Sequence, residues 1–354
     1  MKHAKLLLRL ALSFGVAAFF VWLSLRKADL PHVALALRAS LSRWPWLALY
    51  LVPLLLIHLM RTVRWGILLA PLEKVPFKRL NSASAIGFFA LMVLPLRLGE
   101  FARPYLVASP RIRKSAAMAS VVVERVVDGV VMALCLVVAL LAVPDSDNAA
   151  KVRIGGYVMF GFFGGILVGL VGAYFLHDPT LRLIRAVLTP VSPKLAAKVT
   201  EMIDAFIGAL KRLPSKWQVL WFFALTLAFW GTNVVGLMIL ARAFDFTLAP
   251  LAALTVLGAQ VVGVMIPGGP GAVGSMQAFT QLGLSLFLSS EVVAGQGVAF
   301  ANMNWLLSFG QQVVLGLVFL GLSGSKTSFG SLVRGAEGDS PPDAEGPAPE
   351  QRAG

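Results

Sequence analysis

The sequence predicts an all-α polytopic membrane protein, with about six full transmembrane helices and two broken or re-entrant helical hairpins arranged as an inverted repeat. Three observations predict this class. Of 354 residues, 58% are hydrophobic and only 14% charged, and the mean hydropathy is +0.80; a soluble domain carries roughly a quarter charged residues. Six apolar segments are each long enough to cross a hydrocarbon core of about 30 Å as a helix. Two more apolar stretches are interrupted by Pro, Gly and charge. A soluble enzyme, a disordered protein and a nucleic-acid-binding domain are thereby excluded. The net charge of +14 fits Lys- and Arg-rich cytoplasmic loops facing anionic lipid.

The segments follow in order. The first, 6–25, is preceded by Lys2, Lys5 and Arg9; its apolar run is longer than a usual signal core and reads as an uncleaved helix. The second is 46–69. The stretch 82–107 is apolar but broken at Leu94-Pro95-Leu96-Arg97-Leu98-Gly99-Glu100. Segments 116–143 and 154–176 follow. In 178–216, Leu181, Ile184, Val187, Leu188, Leu195, Val199, Ile203 and Phe206 give one or two amphipathic helices for the cytoplasmic interface. After segment 217–241, the stretch 250–288 is broken at Pro267-Gly268-Gly269-Pro270-Gly271, and 292–322 closes the transmembrane domain 1–322. Backbone freed by such breaks at membrane depth must be buried in protein or line a wet cavity. Residues 323–354 are rich in Gly, Ser, Pro, Ala and Glu and read as a disordered tail.

Loop charge predicts orientation. Loop 70–81 holds Glu73, Lys74, Lys78 and Arg79, 103–114 holds Arg103, Arg111, Arg113 and Lys114, and 177–216 holds seven Lys or Arg. All lie inside if both termini are cytoplasmic and both broken stretches re-enter. Loops 144–153 and 242–249 hold three basic residues together, whereas loop 26–45, with four, argues against the scheme. The order helix, helix, broken hairpin, helix describes 6–143 and again 154–322. Paired broken helices in inverted halves are a transporter architecture, with the substrate where the breaks meet.

Chemistry is sparse. The single cysteine, Cys135, lies in an apolar run, and His3, His32, His58 and His177 have no metal-ligand spacing, so neither a metal nor another cofactor is expected. No P-loop, no GxSxG and no catalytic constellation occurs. Three carboxylates, Glu100, Glu124 and Asp128, fall inside or beside apolar segments, where an ionised group costs several kcal/mol unless paired. Glu124 and Asp128 share a helix face. Arg61, Arg64, Arg97, Arg103 and Arg125 occupy similar settings. Five guanidinium groups against three carboxylates leave an excess that suits a phosphate head group. The alternative is internal pairing that holds helices together, with Arg61 and Arg64 reaching lipid phosphates at the interface. At the second break, Gly268, Gly269 and Gly271 let backbone approach a ligand. If Pro270 starts the second half-helix, its N–H groups form an anion site, with Ser275 and Gln277 as neutral donors. Pro95, Pro267 and Pro270 are the breaks that would gate.

Four motifs occur in order: Arg61-Thr62-Val63-Arg64-Trp65-Gly66, Leu94-Pro95-Leu96-Arg97-Leu98-Gly99-Glu100, Val123-Glu124-Arg125-Val126-Val127-Asp128 and Ile266-Pro267-Gly268-Gly269-Pro270-Gly271. With them the chain resembles the flippase-like family of the lysylphosphatidylglycerol synthase transmembrane region over about 1–322. The resemblance implies a multi-pass protein of the bacterial cytoplasmic (inner) membrane that moves or houses a lipid. It does not imply lysyl transfer, because the aminoacyl-transfer domain of full-length synthases is absent from this sequence; a separate lipid-modifying enzyme could then be a partner. Many relatives carry an aromatic and then Glu or His after the Pro-Gly motif, where this chain has Met276 and Gln277.

The expected function is a lipid flippase binding an anionic or polyprenyl-phosphate-type lipid between the two breaks. Arg97, Arg103 and Arg125 would hold the phosphate, and Glu100, Glu124 and Asp128 would orient them or exchange protons. A membrane enzyme acting on lipid, with Glu100 or Glu124 as base, and a small-solute transporter are the rivals.

Overall fold

The computed structural model describes residues 2–94, 99–100, 102–141, 143, 146–190, 192–193, 195–197, 199–201, 216–266 and 269–323. Among them the chain is helical, with no strand. The principal helices are α1 (Lys2–Leu25), α2 (Leu30–Ser42), α3 (Trp44–Leu69), α4 (Phe77–Val93), α5 (Ala102–Val107), α6 (Lys114–Leu141), α7 (Asp147–Phe175), α8 (His177–Leu188), α9 (Lys216–Ala243), α10 (Pro250–Met265), α11 (Ser275–Leu284) and α12 (Val298–Ser323). A single turn at Ser290–Val292 and a π-helical turn at Val293–Gly297 lead into α12. Pro95, Arg97, Pro267, Gly268 and the tail from 324 lie outside the described residues.

Four of the six predicted segments are long and apolar enough to cross a membrane: Trp44–Leu69, Asp147–Gly169, Lys216–Ala243 and the run Ser290–Leu322. The other two are α1, apolar over Ser13–Leu25, and α6, which is 28 residues long but carries Glu124, Arg125 and Asp128 in its middle. Large apolar side chains face outward along the long helices, including Leu55 and Leu56 on α3, Val158 and Val168 on α7, Trp221 and Leu227 on α9, and Val314 and Leu317 on α12. A water-soluble monomer rarely exposes so continuous an apolar surface, whereas lipid tails cover it at no cost. The protein is a multi-pass membrane protein.

The structure corrects two readings of the loops. Residues 26–45 are not an extended loop: α2 occupies Leu30–Ser42, started by Asp29, whose carboxylate accepts the His32 N–H at 3.2 Å, and by Pro31 in its first turn. This is an ordinary Asp N-cap with a proline in the first turn, where its missing N–H leaves no intrahelical bond unmade, and the basic residues Arg38 and Arg43 lie on and at the end of this helix. Likewise α7 begins at Asp147, capped by Ser146 through the Ala149 N–H at 3.1 Å, so most of 144–153 is helix.

Both broken stretches are helical hairpins. In the first, a Cβ on Gly99 would strike the backbone of Ala90 and Leu91, and one on Gly87 would strike the Arg103 side chain. Arg79 Nη2 closes the base, donating to the carbonyls of Val107 and Ala108 at 3.0 Å each. In the second, Gly263 faces Phe279, Thr280 faces Gln260 and Gly283 faces Val256. The contact ladders run in opposite directions along the sequence, so each chain segment doubles back on itself. Phe77 to Pro250 and Ala102 to Ser275 both span 173 residues, so the two hairpins match in the position of their breaks, although the returning helix has six residues in the first and ten in the second.

Packing sets how the hairpins meet. Tyr50 of α3 lies against Gly236 of α9, and Arg61, three turns on, lies over Phe229, seven residues earlier in α9. The two helices are therefore antiparallel, and the hairpins that follow them start at opposite ends of the bundle. The first hairpin's α4 packs on α12, and the second hairpin's α10 packs on α6. The principal buried core, from Leu54 and Leu136 through Leu240, Val256 and Phe300, runs between these helices.

Candidate functional site

The tips of the two hairpins bound a cavity of about 190 Å³. Leu91, Met92 and Leu94 line it from the first hairpin, and Ile266, Gly269, Gly271, Ala272 and Met276 from the second. Helices α3, α9 and α12 supply the remaining walls, with Tyr50, Arg61, Asn233, Asn304, Trp305, Ser308, Gln311 and Gln312 as the polar groups, and Gln260 enters from α10.

The second tip is shaped by glycine. Gly271 (φ 61°) and Gly274 (φ 85°) adopt left-handed backbone, and a Cβ on Gly274 would meet the α1 backbone at Val21 N, 2.6 Å away. Such φ values cannot continue a right-handed helix. The second half-helix therefore starts at Ser275, not at Pro270, which opens only a one-turn bend. The two donors expected there serve the bend itself. Gln277 Oε1 accepts the Gly274 N–H at 2.8 Å, and Ser275 Oγ donates to the Ala272 carbonyl at 3.2 Å. Trp305 ties the bend to α12, its indole N–H donating to the Gly271 carbonyl at 2.9 Å.

Arg61 is the one charged residue among the described residues that line the cavity. Its guanidinium lies over the rings of Phe88 at 4.9 Å and Phe229 at 5.1 Å. It forms no ion pair with any described residue. Immediately behind it lies a cluster of paired charges. Arg64, fully buried, pairs with Asp128 at 2.5 Å and lies over Phe222 and Phe229. Arg103, 2% exposed, pairs with Glu124 at 3.1 Å and sits 4.3 Å above Trp65 and 4.7 Å from Phe88. Arg125 reaches the other Glu124 oxygen at 3.6 Å, and Glu100 lies within electrostatic reach of Arg125. Phe88 thus has both Arg61 and Arg103 against its ring.

Local sequence explains why these groups converge. Arg61 and Arg64 sit one turn apart on α3, and Glu124 and Asp128 one turn apart on α6; Asp128 meets Arg64 across the α3–α6 contact, whereas Glu124 meets Arg103 of α5 and its own neighbour Arg125. Gly87 leaves the space that the Arg103 stem fills as α5 folds back on α4. Trp65 is fixed by its N–H bond to Ser120 Oγ at 2.9 Å, and His58 by Asn81 at 3.0 Å. Burial of such charges is tolerable only with partners and hydrogen bonds.

The structure therefore divides the predicted site residues. Arg61, Gly269 and Gly271 line the cavity and Pro270 lies in the same bend. Arg64, Arg103, Glu124, Arg125 and Asp128 form the ion-pair cluster beside it; Glu100 stands at that cluster's edge. Pro95, Arg97, Pro267 and Gly268 fall outside the described residues. Sequence reasoning overlooked the neutral polar set. Tyr50 donates to Asn304 at 2.7 Å, and Asn304 donates to Gln260 at 3.0 Å. Carboxamides inside apolar helices are themselves a signal, since each must find a partner or face a cavity in lipid. Among the described residues no group of His, Cys, Asp and Glu could hold a metal ion.

No curated protein and no solved structure matches the chain. Residues 7–316 match the family described as the lysylphosphatidylglycerol synthase TM region, a span that includes both hairpins, the cavity and the ion-pair cluster. The chain belongs to the family of the lysylphosphatidylglycerol synthase transmembrane region.

Proposed function

We propose that this protein moves a phosphate-bearing lipid across the membrane, holding the head group in the cavity between the hairpin tips while the acyl or prenyl chains stay in the bilayer. The observation that carries the reading is Arg61: a guanidinium facing the cavity, braced by two aromatic rings and without a carboxylate partner among the described residues. A phosphate offers such a group bidentate, charge-assisted hydrogen bonds. The cluster behind it supports the reading in a second way. With Arg64, Arg103 and Arg125 set against Glu124, Asp128 and Glu100, the surroundings leave Arg61 the charge that an anion can satisfy.

The packing pattern supports an inverted repeat of α3–α6 and α9–α12. Antiparallel α3 and α9 send re-entrant hairpins in from opposite faces, and the reciprocal packing of α4 on α12 and α10 on α6 has the exchange symmetry of a two-fold axis in the membrane plane. A site between two such tips can be opened to either leaflet by rocking one half against the other. The basic residues Lys74, Lys78, Arg79, Arg111, Arg113 and Lys114 at the base of the first hairpin support a bacterial cytoplasmic membrane with that base, and both termini, inside. The lipid is the partner this site requires.

The test is native mass spectrometry of the detergent-purified protein and of Arg61→Gln, each equilibrated with phosphatidic acid and, separately, with a diacylglycerol. The wild type is expected to retain phosphatidic acid, and the variant to lose about tenfold or more in occupancy, since charge-assisted bonds contribute roughly 1.5–3 kcal/mol. Equal retention of both lipids by both proteins would overturn the assignment.

A further inference from the structure

Asp128 and Glu124 both lie within electrostatic reach of Arg61, yet neither is its partner. Asp128 is taken by Arg64, and Glu124 by Arg103 and Arg125. Arg61 meets two buried rings instead, Phe88 of the first hairpin and Phe229 of α9. Neither ring serves Arg61 alone. Phe88 also carries Arg103 at 4.7 Å, and Phe229 also carries Arg64 at 5.1 Å. Each ring thus joins Arg61 to an arginine that already holds a carboxylate. Among the described residues that line the cavity, Arg61 is present and both rings are absent, so the rings reach a ligand there through the guanidinium.

This division of partners has a chemical consequence. A carboxylate binds a guanidinium through its N–H groups, and those donors are then spent. An aromatic ring attracts the same cation through its electron-rich face and leaves N–H donors available. An aliphatic side chain in the ring's place supplies no such attraction. Arg61, on its long stem, would then turn to Asp128 or Glu124, because a charge away from water gains most from an opposite charge. We propose, resting on the phosphate-lipid reading above, that Phe229 and Phe88 are positioning residues. They hold Arg61 in the cavity wall and out of the ion-pair cluster, so that its donors stay free for the phosphate. Phe229 is the cleaner test of the two, since the Phe88 ring also meets His58 edge-on at 6.3 Å.

The experiment is a double-mutant cycle on the full chain, with phosphatidic acid binding read by native mass spectrometry. It compares wild type, Arg61→Gln, Phe229→Leu and the variant carrying both, with detergent-phase thermal unfolding to confirm that each is folded. Phe229→Leu is expected to lose about fivefold to tenfold in apparent affinity, the worth of one desolvated cation–ring contact. In the Arg61→Gln background the same substitution is expected to remove nothing further, because the ring acts through the guanidinium. A residue that merely shaped the wall would lose the same factor in both backgrounds. Phe229→Met, nearer to phenylalanine in volume, is expected to behave as Phe229→Leu does and replaces it if that variant does not fold. Phe88→Leu, with the same expected coupling to Arg61, decides if neither folds. Wild-type affinity in the ring-less variant, or an equal loss in both backgrounds, overturns the positioning role and leaves the phosphate reading standing. Undiminished binding by Arg61→Gln removes both.

Discussion

The two hairpins share a backbone plan and differ in chemistry. Each is a helix of about four to five turns, a Pro-Gly break and a shorter helix folded back along it, and corresponding starts are 173 residues apart. At the position where the first carries Arg103, the second carries Met276. The first is tied to α6 by the buried Arg103–Glu124 pair, beside the Arg64–Asp128 pair that joins α3 to α6; the second is held by neutral groups, with Gln260 bonded to Asn304 and Gln281 bonded to Ser24 of α1 at 2.6 Å. The difference teaches that the break and the fold-back come from glycine, proline and helix length, whereas the sidedness of the site comes from side chains placed on one half only. Among the described lining residues the cavity takes its charged one, Arg61, from α3 and the amides Gln260, Asn304, Gln311 and Gln312 from α10 and α12.

Substitutions can break this comparison, beginning with the largest expected effect. Asp128→Leu strands Arg64, fully buried, and is expected to cost about 3–5 kcal/mol, the usual penalty for half of a buried pair; Arg64→Met in the same chain should restore most of it. No removal of a single polar group in the second hairpin should cost as much. Detergent-phase thermal unfolding of the single and the double variant measures this, and a wild-type midpoint for Asp128→Leu would show that the pair does not hold α3 to α6 beside the first hairpin.

Glycine substitutions come next and should differ between hairpins in kind. Gly87→Ala drives a methyl into the Arg103 stem. It is expected to cost about 1–3 kcal/mol by overpacking and to weaken the Glu124 pairing as well, so its effect should be smaller in a Glu124→Gln background. Gly263→Ala meets the Phe279 Cβ at 2.7 Å and should cost a similar amount with no dependence on Glu124. Equal responses to Glu124→Gln would mean that Gly87 and Arg103 are not coupled. The smallest effect is expected from Trp305→Phe, which removes the bond to the Gly271 carbonyl for about 1 kcal/mol. Its signature is faster amide hydrogen exchange confined to the bend at 269–274, and unchanged exchange there would refute the tether.

The hairpins were legible in the sequence because Pro, Gly and charge clustered inside an apolar stretch seldom occur in an unbroken helix. Glu124 and Asp128 were legible as buried groups in need of partners, but their partners were not. Arg64 pairs with a residue 64 positions away, and only the packing of α3 on α6 decides that. The fold-back of α5 against α6 brought Arg103 to Glu124, and Arg61, one turn before Arg64, was left facing the cavity. Helix α2 was hidden by attention to its charges despite an Asp29 cap and Pro31. Gln260, Asn304, Gln311 and Gln312 were hidden for the opposite reason, since neutral amides do not stand out when charge is what is counted.

The central claim is that Arg61, between the hairpin tips, grips a lipid phosphate in transit. Its most direct test is leaflet exchange of a fluorescent phosphate lipid in proteoliposomes, followed by chemical quenching of the outer leaflet, for wild type and Arg61→Gln at equal folded protein. Exchange well above that of protein-free vesicles is expected for the wild type, with a loss of about tenfold or more in the variant, in line with the loss of charge-assisted bonds. Wild-type exchange in Arg61→Gln, or none in the wild type, would contradict it.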